Sequence, residues 1–239
     1  MLWNEIFLTA EWRHLAMLNY EVEPALLAKL IPAGTELDCW SGKAFVSLVG
    51  FRFLKTRVCG ISVPFHRNFD EVNLRFYVRR RAENEIRRGV VFIKEIVPRW
   101  AIAAVARRLY NEKYVALPMH HEVASSESGL LVEYGWRSSI GWNRIRVSTA
   151  GGPTLPSRGT QEQFITEHFW GYSAQTDGAT VEYRVAHPSW RVWSGCSAKF
   201  EGDVIELYGR ELASVLAAPP LSAFLAEGSD ITVFRGQNI

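Results

Sequence analysis

The chain lacks any cysteine pattern that could staple a fold or hold a metal. Its three cysteines, Cys39, Cys59 and Cys196, are scattered singly. No disulfide framework and no Cys/His ligand spacing arises from them, and a reducing, cytoplasmic setting is expected. Long apolar runs are missing as well. The longest uncharged stretch, Leu212 to Ala226, is interrupted by Pro219-Pro220 and is too short to span a bilayer, so no membrane partner is expected. Met1 to Ala10 carries Glu5, has no Lys or Arg and has no apolar h-region, which argues against a signal peptide. There is no Gly-x-Ser-x-Gly elbow, phosphate-binding loop or dinucleotide glycine fingerprint, so serine-hydrolase, nucleotide and NAD chemistry are unsupported. The six histidines, His14, His66, His120, His121, His168 and His187, show no helical pairing with Glu. Neither a metal nor a cofactor is expected.

What is present is ordinary globular material. The 239 residues are 48% hydrophobic, 22% charged and 13% aromatic, which excludes disorder and low-complexity fibres. No repeat and no linker-like run divides the chain, so a single domain over 1–239 is expected. Charge is uneven: residues 1–120 are net +6 and residues 121–239 net −4. Between Arg75 and Arg108 the net is +7, which admits either a nucleic-acid patch or solvated basic faces. Because the total is only +2 and no recognition motif is found, no nucleic-acid partner is expected. Self-association is left open.

The hydrophobic pattern predicts mostly strands. A short helix follows Pro24, and strands are expected over 36–40 and 43–58. Phe69 to Arg80 alternates strictly, with Val72, Leu74, Phe76 and Val78 on one face. A turn over 82–85 makes it a hairpin with a return strand, Ile86 to Val97. Pro98 to Tyr110 reads as a helix from its apolar spacing at Ile102, Val105, Ala106 and Leu109. Further strands are expected over 114–123, 130–137, 143–148, 180–186, 190–200 and 231–235. Thr160 with Gln163 forms a capping box that opens a helix to about Phe169. The expected class is α+β, mainly antiparallel β with few short helices.

The chemistry-bearing pattern is Glu71-x-Asn73-x-Arg75-x-Tyr77-x-Arg79, five polar side chains on one strand face. Such a face belongs either to solvent or to a pocket. Asn and Tyr can orient a small ligand, and Arg can hold a carboxylate through two hydrogen bonds. Burial would raise the pKa of Glu71 and neighbouring arginines would lower it. Lysine is scarce, 6 of the 27 basic residues. Lys94 lies mid-strand and Lys113 sits where a turn begins; each reads as a surface amine or, if desolvated, a Schiff-base candidate. His168 and His187, each beside aromatics, read as packed turns.

Several segments together resemble a known family. They are Trp12-Arg13-His14-Leu15, Leu30-Ile31-Pro32, Phe69 to Val78, Gly89-Val90-Val91-Phe92, Ala106 to Tyr110 and Phe164 to Phe169. In this order, over nearly the whole chain, they resemble the uncharacterised bacterial YqjF-like family, grouped with the acetoacetate decarboxylase-like superfamily. The resemblance implies a curved antiparallel sheet or barrel enclosing a pocket, and no established activity. It makes Glu71 the counterpart of the decarboxylases' pocket glutamate. Ala106 to Tyr114 resembles the segment that carries their Schiff-base lysine, with Tyr114 on the place of the first of two lysines and Lys113 on that of the preceding proline. The twin lysines are absent. The expected partner is a small organic acid or carbonyl compound. Arg75 and Arg107 would hold its anionic group, Asn73 and Tyr77 would orient it, and Glu71 would act as acid or base. Tyr114 would supply a pocket hydroxyl, with Lys113 and Lys94 as further Schiff-base candidates. Two classes stay open: a lyase-type enzyme working without the usual lysine, and a non-catalytic binding or sensing module.

Overall fold

The computed structural model describes residues 5–62, 64–98, 113–127 and 129–239. The strands are β1 (Ile6–Val22), β2 (Glu36–Leu37), β3 (Ala44–Val58), β4 (Phe69–Arg81), β5 (Ile86–Val97), β6 (Tyr114–Ala116), β7 (Met119–Ser126) and β8 (Gly129–Arg137). They continue as β9 (Trp142–Ser148), β10 (Trp170–Ala174), β11 (Thr180–Ala186), β12 (Val192–Trp193), β13 (Ser197–Glu201), β14 (Ser222–Phe234) and β15 (Gln237–Asn238). The described α-helices are α1 (Pro24–Leu27), α2 (Gln161–Thr166) and α3 (Ile205–Ala217).

The large sheet runs β14-β1-β3-β4-β5-β10-β11, and β11 pairs back onto β14 through Val185 with Val233, closing a barrel. Its ladders are antiparallel except β5 with β10 and β5 with β6. Closure removes the free edges that an open sheet would expose. A second, antiparallel sheet, β13-β9-β8-β7, supplies Val132, Tyr134, Trp136, Ile145 and Val147 to a buried cluster with Leu18, Leu48, Leu74 and Phe76. The other face of the same barrel strands carries Met17, Val49, Phe51 and Tyr77 in a separate interior cluster. Consequently β4 is buried on both faces from Phe69 to Val78. The apolar set of its alternating pattern meets the second sheet, and the polar set points into the barrel.

Some elements differ from expectation. β1, 17 residues long, was not anticipated. Register shifts near Thr9–Glu11 and Arg13–Ala16, with His14 at φ 54°, break the alternation that would have marked it as a strand. Helix α3 escaped because Gly209, at φ 77°, interrupts its apolar period. The strand expected over 114–123 is split into β6 and β7 around Pro118, and that over 190–200 into β12 and β13. Thr160 caps α2 as anticipated, its Oγ1 accepting from the Gln163 amide, but the helix stops at Thr166. The helix expected over Pro98–Tyr110, with Arg107, lies outside the described residues apart from Pro98. Among the described residues no helix is long and apolar enough to cross a membrane.

Candidate functional site

The polar face of β4 opens onto a cavity of about 230 Å³ inside the barrel. Glu71, Asn73 and Arg75 line it from β4, Glu95 and Phe92 from β5, and Tyr114 from β6. Glu95 arrives there because of a local irregularity. The β4–β5 register shifts between Leu74 and Arg75, so that Leu74 faces Lys94 while Arg75 faces Phe92. Phe92 and Glu95 therefore share the cavity face, and Lys94, half-buried, is turned away from it. Tyr114 stands beside Glu95 in the parallel β5–β6 ladder, and Lys113, one residue earlier, is exposed. No lysine is among the described residues lining the cavity.

Glu71 is 2% exposed. Asn73 Nδ2 donates to its Oε1 at 3.0 Å, and the Tyr114 hydroxyl donates to its Oε2 at 3.2 Å. Burial prevails over these contacts and over the nearby Arg75 charge, and the carboxyl is pushed up to about 7. It is thus poised to hold a proton in the neutral range, as an acid catalyst must.

Arg75, 7% exposed, is the reverse case. It makes no salt bridge among the described residues. Its Nη2 approaches the Met17 sulfur at 4.0 Å, its Cζ lies 5.8 Å from the centre of the Tyr77 ring, and its Nε has no partner among the described residues. A buried cation left this way is costly unless an anion completes it. Asn73 Oδ1 is likewise buried without a donor among the described residues. Tyr77 does not line the cavity. Its hydroxyl lies 2.6 Å from Ser47 Oγ, and because Ser47 donates to Asn19 Oδ1 at 2.6 Å, Tyr77 is the donor of that pair. The Tyr77 ring packs at 4.8 Å against His168.

Both histidines that the sequence presents as packed turns line the cavity. His168 Nε2 lies 3.1 Å from Asp38 Oδ2, which also accepts from Arg88 Nε at 2.6 Å. Burial raises the Asp38 pKa, but His168 and Arg88 outweigh it and hold the carboxyl below its ordinary value. An ionised carboxylate only accepts, so His168 carries its proton on Nε2, and Nδ1 is a buried acceptor without a partner among the described residues. Burial keeps this ring below its ordinary pKa. His187 donates from Nδ1 to the Pro188 carbonyl at 2.8 Å, leaving Nε2 as the acceptor, and stacks on Trp190 with centroids 4.1 Å apart. Burial lowers its pKa also. In the sequence both residues stand beside aromatic neighbours, which equally mark packing.

The arginines of the β4–β5 hairpin are engaged by carboxylates. Arg80 and Arg87 reach the fully buried Glu182 at 3.2 and 2.6 Å, and Arg79 reaches Glu36 at 2.8 Å. Its basic run is therefore largely neutralised within the protein.

A family model described as an uncharacterized conserved protein, DUF2071, matches residues 9–230. The uncharacterized protein YqjF of Bacillus subtilis (strain 168) is 25% identical over 124 residues, 52% of this chain and 48% of that protein. The chain thus matches about half the length of that curated relative. Among solved structures, acetoacetate decarboxylase from Legionella pneumophila superposes with a TM-score of 0.68 at 14% identity, over 100% of this chain and 89% of that one. MppR, an enduracididine biosynthesis enzyme solved in complex with pyruvate, gives 0.66 at 11% identity, over 98% and 91%. At these identities the structural likeness shows a shared acetoacetate decarboxylase-like fold.

Proposed function

The chain belongs to the DUF2071 family of uncharacterized conserved proteins, and on that premise we propose that its barrel cavity binds a small organic acid bearing a carbonyl group. The observation that carries this reading is Arg75: buried, lining the cavity, and without a carboxylate partner among the described residues. A ligand carboxylate is the group that completes it, by two parallel hydrogen bonds. Glu71 in its protonated form donates a hydrogen bond to the carbonyl oxygen, and Asn73, whose amide donates to Glu71 Oε1, holds that carboxyl in place for the ligand. Support from the fold is limited to analogy, in that MppR is a neighbour solved with pyruvate. Titration calorimetry with pyruvate tests the reading: saturable binding to the wild type that Arg75→Met weakens at least tenfold is expected. Equal binding by both proteins rejects it.

Whether binding leads to turnover is a separate matter. Proton transfer is favoured by the raised pKa of Glu71 in a cavity that His168 and His187 also line. Binding alone is favoured by the lack of a lysine among the described lining residues, which removes the imine route. Exchange of pyruvate methyl protons in D2O, followed by NMR, separates the two. Exchange above the buffer rate that is lost in Glu71→Gln marks an enzyme; exchange at the buffer rate marks a binding module.

A further inference from the structure

The cavity has a polar side and an aromatic side, and from this division we infer that the ligand is a 2-oxo acid with an aryl or branched alkyl substituent rather than one as small as pyruvate. The inference rests on the carboxylate reading of Arg75. Directly across the β3–β4 ladder from Glu71 stands Phe51, and from Phe69 stands Phe53. Phe53 and Phe69 stack with centroids 4.6 Å apart, and Trp12 meets Phe51 edge-on at 5.2 Å and Trp190 at 6.1 Å. All five line the cavity; Phe69 continues the Glu71–Asn73–Arg75 row along β4, and Phe51 and Phe53 flank it on β3, so a continuous aromatic surface begins beside Glu71. Phe92, two residues after Val90 on the same face of β5 and opposite Arg75, adds a further aromatic side chain on the other side of β4.

A carboxylate held at Arg75 with its carbonyl at Glu71 leaves the substituent to run on past Glu71, toward Phe51, Phe53 and Phe69. For pyruvate that substituent is a methyl group, which leaves most of the aromatic wall against water. A phenyl or isobutyl group covers it, and burying apolar surface on both partners, with ring-to-ring contact for the aryl case, tightens binding. Polar pocket walls would give the opposite order, because they reward small, water-like ligands.

Calorimetry with three probes, pyruvate, phenylpyruvate and 4-methyl-2-oxopentanoate, tests this. Phenylpyruvate and 4-methyl-2-oxopentanoate are each expected to bind at least tenfold more tightly than pyruvate. In Phe92→Ala, and in Phe51→Leu as the milder change, the ratio between phenylpyruvate and pyruvate is expected to narrow, with thermal unfolding confirming that each variant is folded. If the larger acids bind no more tightly than pyruvate while pyruvate binding still depends on Arg75, the aromatic subsite is wrong and the carboxylate reading stands. If none of the three acids binds, both fall together.

Discussion

Asn73 donates to Oε1 of Glu71 at 3.0 Å from two residues along the same strand, and its own Oδ1 is buried without a donor among the described residues. One amide thus steadies the carboxyl from the same strand face. The pair has a consequence for stability. Glu71 titrates near 4.5 when solvated and near 7 in the folded protein, because burial opposes its charge. Below the lower value both states hold the proton; between the two the folded state holds more of it, so stability falls as pH rises and levels off above about 7. At roughly 1.4 kcal/mol per pKa unit the loss is of order 3 kcal/mol. Glu71→Gln lacks this slope. Urea unfolding at pH 4.5 and 8 is expected to show the variant gaining on the wild type by about that amount. His14, His168 and His187, whose pKa values are lowered, contribute the opposite slope to both proteins, and it cancels in the difference.

Glu182 is fully buried and receives Arg80, Arg87 and the Tyr172 hydroxyl. It ties the β4–β5 hairpin to β10 and β11, the part of the wall that closes the barrel. Removing one member of such a network leaves its partners uncompensated. Glu182→Ala is expected to destabilise by about 3 kcal/mol, toward the low end for buried pairs because both arginines retain some solvent contact. Equilibrium denaturation reads this directly, and a change below about 1 kcal/mol would mean that solvent already satisfies the network.

Gly228 sits at φ +78° opposite Arg13, where β1 is irregular, and a Cβ there would overlap the Trp12 carbonyl oxygen. Both the backbone angle and the space require glycine. Gly228→Ala is expected to cost of order 2 kcal/mol. Because Trp12 lines the cavity, its fluorescence should shift as well. An unperturbed spectrum with full stability would show that β1 can move aside freely.

Lys113 is exposed and Lys94 faces Leu74 on the outer side of β5. Borohydride reduction in the presence of pyruvate is therefore expected to leave no stoichiometric adduct on either lysine. A single adduct removed by Lys94→Ala or Lys113→Ala would restore the imine route.

The barrel wall was legible where the chain alternates cleanly. In β4 the set Val72, Leu74, Phe76 and Val78 and the set Glu71, Asn73 and Arg75 take opposite faces, as the period of two requires. The pattern alone could not say that the polar face points inward, since a solvated face has the same alternation. The second sheet, drawn from residues distant in sequence, is what buries the other side. Irregularities hid the rest. The shift at Leu74–Arg75 put Glu95 rather than Lys94 on the cavity face, and a positive φ at His14 broke the period of β1. His168 was illegible for a different reason: its partner Asp38 is 130 residues away, and only the tertiary fold brings them together.

The most direct measurement is a crystal structure of the protein grown with pyruvate at saturating concentration. The account predicts the carboxylate within salt-bridge distance of the Arg75 guanidinium, with the carbonyl oxygen toward Glu71 and the methyl group toward Phe51 and Trp12. A cavity holding only water at Arg75, or the acid seated elsewhere on the protein, would contradict it.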